Sequence, residues 1–135
     1  MLNPDETAQN LTLTTGVDII EISRVSRVLE RYGQRFLKRI FTPGEIAYCR
    51  ERPANLAARF AAKEATMKAL GTGIRGVGWK DIEVVNLKSG APAIKLHSRG
   101  KQRAQQLAVQ EISVSLSHSR DYAVAFVVIR RKGPA

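Results

Sequence analysis

The order of apolar patterns along the chain predicts an α+β domain with a largely antiparallel sheet. A segment of alternating apolar residues near the start is followed by three segments with helical spacing, over residues 23–70. Two pairs of short apolar runs, each pair joined by a tight turn, occupy much of the second half, with one helical segment between them. Strands joined by tight turns pair antiparallel, so the order β-α-α-α-β-β-α-β-β is typical of an α+β fold.

Size and charge fit a single domain. The chain has 135 residues, 44% of them hydrophobic, which is enough for one core. Its 22 Lys and Arg residues exceed the 12 Asp and Glu residues and give a net charge of +10. That charge favours anionic partners such as nucleic acid, phosphorylated small molecules, acidic proteins or membrane surfaces, without choosing among them. We predict one domain over residues 11–130, a flexible extension over 1–10 and a tail over 131–135.

The cysteine content and the first residues predict the cellular setting. Cys49 is the only cysteine, so no intramolecular disulfide is possible and a reducing compartment is the simplest setting. The first ten residues lack the basic and apolar segments of a secretory signal, and no apolar run reaches spanning length. We therefore expect a soluble, cytoplasmic protein with no membrane partner. Cys49 and the two histidines lack the spacing of a zinc site.

The first strand and the first helix each have a local cause. Apolar and polar residues alternate over residues 11–20, which predicts a strand. Ser23 is suited to cap the following helix, which we expect over residues 23–40. Gly33 predicts a break or kink within it.

Two further helices follow before the middle of the chain. The start of the second helix carries a capping pattern made of Thr42, Pro43 and Glu45. Asn55 is suited to cap the third helix, which we expect to end at Leu70. Gly71 then suits a left-handed residue just past the helix end.

The second half contains two hairpins and a helix. Residues 81–87 and 91–97 are apolar runs joined by a glycine-containing turn, which predicts the first hairpin. A helix is expected over residues 98–109. Residues 111–119 alternate, and residues 122–130 form a more continuous apolar run, which predicts the second hairpin.

Glu64 is the most informative candidate for chemistry. On a helix it shares a face with Lys68, while Lys63 belongs to the neighbouring row. An exposed pair of this kind is ordinary and contributes only about 0.2–0.5 kcal/mol. The following Gly71 and Gly73 change the context, because backbone amides without bulky side chains can approach a phosphate closely. The same loop is also a plain helix stop, and an anion there would need cationic help from Lys68 or Lys63.

Two polar residues in the predicted strands are further candidates. Asp18 lies in an otherwise apolar strand, where a carboxylate is costly to bury without a partner. It is an outward-facing residue, a cap for the next helix or part of a site. His118 ends a strand among Ser115, Ser117 and Ser119, a polar environment suited to binding a phosphate ester. The alternative is a histidine that only belongs to the turn.

Arginines recur on the first helix. Arg24, Arg27, Arg31 and Arg35 are three and four residues apart and form a positive row, which only Glu30 offsets. A solvated face is the usual explanation. Docking of an acidic helix or of a nucleic-acid backbone has comparable weight.

Three motifs together make the sequence resemble a known family. The segments GVDIIEISR, RFAAKEATMKALGTGI and SVSLSHSRDYAVA, in this order and spacing, resemble the holo-acyl-carrier-protein synthases, the short bacterial type of 4'-phosphopantetheinyl transferase. The resemblance covers residues 15–129. It implies the 4'-phosphopantetheinyl transferase fold, with helices on one side of the sheet, and a homotrimer whose three active sites lie at subunit boundaries.

The resemblance also implies a reaction in fatty acid biosynthesis. Coenzyme A donates its 4'-phosphopantetheine group to a serine of apo acyl carrier protein, adenosine 3',5'-bisphosphate is released, and Mg²⁺ is the cofactor. Asp18 and Glu64 match the family's metal ligands, Lys68 matches the lysine near the pyrophosphate, and His118 matches the histidine near the coenzyme A phosphates. Mg²⁺ prefers oxygen ligands and commonly takes one or two carboxylates, which agrees with that pair.

The remaining expected site residues surround these. We expect coenzyme A to be bound also by Lys63, Gly71 and Gly73. The acidic, helical carrier protein is expected against the first helix, at Arg24, Arg27 and Arg31, of which Arg24 matches the family best.

Two other functions fit parts of the sequence. A small RNA-binding module agrees with the charge, but aromatic residues are only 6% of the chain and offer no identifiable stacking platform. A noncatalytic assembly subunit explains the apolar run YAVAFVVI without using Asp18 or Glu64. We expect the transferase, with no nucleic-acid partner.

Overall fold

The computed structural model describes residues 11–133, so the extension predicted over 1–10 and the last two residues of the predicted tail lie outside the described residues. None of the helices between residues 11 and 133 is long and apolar enough to cross a membrane. The elements are β1 (Thr12–Glu21), α1 (Ile22–Tyr32), α2 (Gln34–Ile40), α3 (Pro43–Cys49), α4 (Pro53–Ala69), a 3-10 turn (Trp79–Asp81), β2 (Ile82–Asn86), β3 (Pro92–Leu96), α5 (Ser98–Gln106), β4 (Val109–His118) and β5 (Tyr122–Arg131).

The strands form two antiparallel sheets. One sheet has the order β1-β5-β4, and the other is the β2-β3 hairpin. In the three-stranded sheet Asp18 lies opposite Ala125, which lies opposite Leu116 on the other side. The α+β class and the antiparallel pairing predicted from the sequence are confirmed.

The helix α4 packs on one face of the three-stranded sheet. Its buried surface is built from small side chains, namely Ala57, Ala58, Ala61, Ala62, Ala65 and Ala69. These let the helix approach β1 so closely that a methyl group on Gly16 would overlap the carbonyl oxygen of Ala65. The hydroxyl of Thr14 donates to the carbonyl oxygen of Ala69 at 2.8 Å. The strand and the helix are therefore in direct backbone contact along the segment that carries Asp18.

Two of the predicted helix starts are wrong. The helix α1 begins one residue before Ser23, because the amide of Ile22 still bonds the carbonyl oxygen of Asp121 at 2.8 Å and the sheet delivers the chain directly into the helix. The helix α4 begins at Pro53, whose fixed φ suits the first helical position, so Asn55 lies inside the first turn.

Other local predictions are confirmed. Thr42 and Glu45 form the reciprocal capping box at the start of α3. Gly33, at a φ of 53°, divides the predicted first helix into α1 and α2. Gly71 has a φ of 70° and follows α4 in the left-handed region.

The second half differs from the prediction only at element ends. The helix expected over 98–109 ends at Gln106, and Ala108 adopts a φ of 55° before β4 begins. The strand β5 continues through Arg131, one residue into the segment predicted as a tail.

The face of the three-stranded sheet opposite α4 is exposed. It is mainly apolar along β1 and β5 and polar along β4, which contributes Ser113, Ser115 and Ser117. We call it the outer face, and its most exposed large apolar residues are Leu13, Val17, Ile19, Tyr122 and Phe126. Ile19 is 63% exposed and Phe126 is 46% exposed. Contiguous apolar surface of this kind is unusual on a soluble monomer and marks an interaction surface.

Candidate active site

A cavity of about 430 Å³ opens between β1, α1 and α4. Its polar lining is Asp18, Glu64 and Arg24. Its apolar wall includes Val25, Val28, Phe36 and Phe60. Two carboxylates and a guanidinium therefore face a recess with a largely apolar wall, where charge interactions are screened less than in open water.

The two carboxylates come from the close contact of β1 with α4. Alternate residues of β1 face α4, which turns Asp18 inward, and its side chain is only 14% exposed. Burial raises the pKa of Glu64, and the nearby Asp18 raises it further through charge repulsion and a hydrogen bond between the side chains. Lys68 and Arg24 lower the pKa of Glu64 in part. The pair therefore favours an additional positive charge, as a proton or as a cation.

Lys68 contacts Asp18, one of the residues that line this cavity. Its ammonium group is 3.3 Å from Oδ1 of Asp18 and donates to the carbonyl oxygen of Val17 at 3.0 Å. The side chain is 56% exposed, so an exposed pair of this kind is weak. Lys68 can therefore turn from Asp18 toward an anion that enters the site.

The donor set of the cavity fits Mg²⁺. Among residues 11–133, no group of three or more His, Cys, Asp or Glu side chains is placed to hold a metal ion. Asp18 and Glu64 form a pair, and Mg²⁺ usually takes one or two protein carboxylates and completes its shell with water and substrate phosphate. Burial and then the nearby Asp18 raise the pKa of Glu64, so the charged carboxylate is held at a cost that a divalent cation would reduce.

His118 lies in a different cavity of the same chain. That cavity has a volume of about 170 Å³ and is also lined by Arg59 and Asn86. His118 ends β4, two residues beyond Leu116, whereas Asp18 is on β1 at the other edge of the sheet. One chain therefore does not bring His118 to the two carboxylates.

Arg59 is a candidate that the sequence analysis missed. It is only 4% exposed, its guanidinium lies 4.1 Å from the ring centre of Tyr48, and its Nη2 donates to Asn86 at 2.8 Å. Its buried Nε has no hydrogen-bond partner among the described residues. The sequence signal that could have identified Arg59 was an arginine among the alanines of a buried helix face. Arg59 and His118 together make this cavity suited to binding a phosphate.

The comparisons with known proteins agree with this geometry. The sequence matches the model of the 4'-phosphopantetheinyl transferase superfamily over residues 14–127. The chain belongs to this superfamily. The resemblance drawn from the three sequence motifs is thereby confirmed.

Relatives within the superfamily cover most of the chain. It is 50% identical over 123 residues to a holo-[acyl-carrier-protein] synthase of Herpetosiphon aurantiacus, across 86% of this chain and 97% of the relative. Identity to that of Moorella thermoacetica is 53% over 120 residues, across 87% and 93% of the two chains. The crystal structure of the Helicobacter pylori holo-[acyl-carrier-protein] synthase in complex with coenzyme A superposes with a TM-score of 0.79 at 34% identity, across 85% and 98%.

Lys63 was expected to bind coenzyme A, but in this member of the 4'-phosphopantetheinyl transferase superfamily its side chain lies in the protein interior. Its ammonium group is fully buried, 2.7 Å from Oε1 of Glu45, and also donates to the carbonyl oxygens of Trp79 and Ile82. Burial lowers the pKa of Lys63 and Glu45 opposes that shift, and three acceptors around one nitrogen require the ammonium form. The structure gives Lys63 an internal partner, and the expectation that it binds coenzyme A stays a prediction without structural support.

The glycine loop is also separate from the carboxylate cavity. Gly71 lines a groove of about 440 Å³ together with Arg99 and Arg103 of α5. The Nε of Arg103 donates to the carbonyl oxygen of Leu70 at 3.0 Å, which holds the end of α4. The carbonyl oxygen of Gly73 accepts the amides of the residues three and four positions later, and the space beside its Cα is open.

The arginines of the first helix divide between two places. Arg24 lines the carboxylate cavity, and Arg27 and Arg31 are exposed along α1. A neighbouring groove of about 350 Å³ lies between α1 and α2 and is lined by Val28, Tyr32, Arg35, Phe36 and Arg39. We call it the basic groove, because arginines border an apolar floor.

Proposed function

We propose that this protein transfers the 4'-phosphopantetheine group of coenzyme A to a serine of apo acyl carrier protein and releases adenosine 3',5'-bisphosphate. The observation that carries the proposal is the convergence of Asp18 and Glu64 beside Lys68. Family membership supports it, as do the names of the relatives and the coenzyme A complex of the Helicobacter pylori protein.

The reaction exchanges the phosphoanhydride bond in the diphosphate of coenzyme A for a phosphodiester bond to serine. The serine hydroxyl oxygen forms a bond to the β-phosphorus of coenzyme A, and the bond from that phosphorus to the bridging oxygen of adenosine bisphosphate breaks. The hydroxyl proton passes to a base, which is either Glu64 or a water molecule. Phosphoryl transfer of this kind depends on positioning and on neutralising charge rather than on covalent help from the protein. The cavity offers groups suited to both tasks.

Each polar residue of the cavity has a proposed task. The carboxylates of Asp18 and Glu64 would hold Mg²⁺, which would supply positive charge against the diphosphate. The ammonium group of Lys68 leaves Asp18 and binds a phosphate oxygen, and Arg24 adds a second positive charge at the cavity wall. Phe60 and the neighbouring apolar side chains limit the entry of water, which would compete with the serine for the phosphorus.

A homotrimer completes the site in this proposal. Asp18 and Glu64 line one cavity, and His118 and Arg59 line another. We call these the two half-sites, and in this proposal they meet only across a boundary between subunits. The outer face, with Phe126 near its centre, provides apolar surface for such a boundary. Coenzyme A would then place its diphosphate at the carboxylates and its remaining phosphate at His118 and Arg59 of a neighbouring subunit.

The basic groove is the proposed docking surface for the carrier protein. Arg35 and Arg39 border its apolar floor, and the exposed Arg27 and Arg31 extend the positive surface along α1. An acidic amphipathic helix fits such a groove through apolar contacts at the centre and charge pairs at the rim. The groove adjoins the carboxylate cavity through Val28 and Phe36, which line both, so a docked carrier would present its serine near Glu64.

A mass assay tests the proposed function. The protein, coenzyme A, Mg²⁺ and an apo acyl carrier protein are combined, and mass spectrometry follows the gain of one phosphopantetheine group. We expect rapid conversion by the wild type, and loss with Glu64→Ala and with Asp18→Ala. Lys101→Gln, which changes an exposed residue of α5 that lines neither the carboxylate cavity nor the cavity of His118, serves as the control with full activity. Undiminished transfer by folded Glu64→Ala and Asp18→Ala would refute the assignment of the site.

A further inference from the structure

A buried ion pair lies next to the carboxylate cavity. Lys63 of α4 and Glu45 of α3 are both fully buried, and their charged groups are 2.7 Å apart. The ammonium group also donates to the carbonyl oxygens of Trp79, at 2.9 Å, and Ile82. All three of its protons are therefore used.

The carboxylate of Glu45 is equally saturated. Its Oε1 also accepts the amide of Thr42 at 2.9 Å, and its Oε2 accepts the amide of Val84 at 3.0 Å. The pair therefore connects the start of α3, the middle of α4, the 3-10 turn and β2. Three regions that are distant in sequence meet at Lys63 and Glu45, since the 3-10 turn leads directly into β2.

Stability alone does not explain this pair. Burying two charges is expensive, and well-packed apolar residues in their place are often at least as stable. A buried hydrogen-bonded pair restrains the orientation of its two partners, because hydrogen bonds tolerate little rotation of either one. The buried face of α4 is otherwise mainly alanine, and methyl groups interlock weakly with their neighbours. The contact with β1 sets the distance of α4 from the sheet. The hydrogen bonds of the Lys63–Glu45 pair, together with that of Arg59 to Asn86, restrain the rotation of α4 about its own axis.

The rotation of α4 matters because it sets the direction in which Glu64 points. Glu64 follows Lys63 directly, so the direction of one side chain is fixed at about 100° from the other around the helix. A rotation of α4 by about 20° would move a side-chain end group by roughly 2 Å, given the radius of a helix with its side chains. Functional groups must usually be held within about 0.5 Å to work.

We propose that Glu45 and Lys63 are positioning residues, whose buried pair fixes the rotation of α4 so that the carboxylate of Glu64 faces that of Asp18. This inference deepens the proposed function and rests on it for the meaning of the site. Neither Glu45 nor Lys63 touches the substrate in this account.

The test uses a double variant that removes both charges together. Glu45→Gln with Lys63→Met keeps the approximate volume of the two side chains and leaves no charge buried alone. Mn²⁺ binding to the folded protein without coenzyme A is measured by electron paramagnetic resonance, and kcat and the KM for coenzyme A are measured separately. We expect Mn²⁺ affinity and kcat each to fall about 10–100-fold, the usual effect of losing groups that orient metal ligands, while KM changes less than about twofold.

A core variant provides the matched control. Ile129→Val removes one buried methylene in β5, away from the pair, and lowers stability without touching either carboxylate. It should keep the wild-type Mn²⁺ affinity, which separates positioning from general destabilisation. Should the double variant not fold, Lys63→Arg keeps the charge pair but alters its length, and it should also bind Mn²⁺ more weakly.

Three results would overturn the inference. Wild-type Mn²⁺ affinity in the folded double variant, or in Lys63→Arg if that variant is used, would show that the pair only stabilises the fold. A raised KM with unchanged kcat would instead place Lys63 on coenzyme A. A loss in Ile129→Val equal to that in the double variant would also refute positioning. Absence of transfer by the wild type would refute the proposed function, while the comparison of Mn²⁺ affinities would still decide the role of the pair.

Discussion

At the residue scale, Glu64 is held in a state that is costly for the free protein. Burial and the adjacent Asp18 both disfavour its charged form, and Lys68 and Arg24 compensate only in part. A carboxylate whose pKa is raised on folding stabilises the native state only while it is protonated. That contribution is present below the pKa of a free glutamate and is lost as the pH rises through the raised value. A site built to accept a cation therefore lowers stability when no cation is bound.

Glu64→Gln tests whether the charged carboxylate of Glu64 destabilises the protein when no cation is bound. In the absence of divalent cations, the variant should melt at a higher temperature than the wild type at neutral pH, because the neutral amide removes repulsion from Asp18. The difference should shrink as the pH is lowered and Glu64 takes up its proton. Transfer should fall by roughly 10² or more, since an amide cannot supply the missing charge. Calorimetry across pH measures the difference in melting temperature between the variant and the wild type. A lower melting temperature for the variant at neutral pH would contradict the prediction.

Arg59 offers a second test at this scale. If its buried guanidinium holds the ribose phosphate of coenzyme A, then Arg59→Met should raise KM for coenzyme A by about tenfold or more, the value of one charge-assisted contact. Dephospho-coenzyme A lacks that phosphate, so its KM should hardly change between wild type and variant. Steady-state kinetics with both donors make the comparison. Equal losses for the two donors would assign Arg59 to the fold rather than to the phosphate.

The sequence motifs were sufficient to pair two of the site residues, whose roles stay predictions. Asp18 and Glu64 were paired from the motifs, and the structure places them together. The burial of Lys63 against Glu45 was not predicted, because adjacent helix positions point about 100° apart and sequence spacing alone does not show which of them is buried. Arg59 was missed because its value depends on Tyr48 and Asn86, which are distant in sequence.

At the element scale, the contact between β1 and α4 determines where the two carboxylates lie. Gly16 is two residues from Asp18, and the backbone that it meets belongs to Ala65, next to Glu64. Any side chain at position 16 would increase the separation of the strand and the helix. The alternation of β1 and the capping box of α3 were predictable from local sequence, whereas this close approach depends on which strand meets which helix.

Gly16→Ala should therefore affect stability and activity together. The added methyl group would overlap the carbonyl oxygen of Ala65, and backbone cannot yield as a flexible side chain does. We expect a loss of about 1–3 kcal/mol or more in the free energy of unfolding, as for other overpacked sites. Transfer by the remaining folded protein should also fall, since Asp18 and Glu64 move apart. Urea unfolding monitored by circular dichroism provides the stability, and unchanged stability would show that β1 and α4 are less closely packed than the structure indicates.

At the scale of the whole molecule, the outer face and the divided site point to the same assembly. One chain exposes apolar residues across one side of its three-stranded sheet and keeps His118 away from Asp18. The sequence predicted the strands, but the exposure of Phe126 and Ile19 became visible only when the opposite face was found to be covered by α4. A trimer would bury the outer face and bring the half-sites together.

Phe126→Glu should disrupt that assembly. A charge at the centre of the outer face would be buried in a trimer without a partner, at a cost of several kcal/mol. Light scattering after size-exclusion chromatography should show a trimer for the wild type and monomer for the variant, which should have lost transfer activity. In Phe126→Leu, which keeps an apolar side chain, the assembly should persist. A wild type that is monomeric at assay concentrations and fully active would contradict the assembly.

A mixing experiment asks whether the active site is shared between subunits. Asp18→Asn and His118→Ala should each be nearly inactive, because each lacks one half-site in every subunit. When the two variants are unfolded together and refolded as a mixture, boundaries form between an intact Asp18 from one subunit and an intact His118 from another. Random assembly in equal amounts gives intact residues at about a quarter of the boundaries, so up to about a quarter of wild-type activity should return. Mixing the folded proteins without subunit exchange should restore none. Failure to recover activity in mixed trimers would show that each chain builds its site alone, since only a site divided across the boundary can be repaired by a neighbour with a different defect.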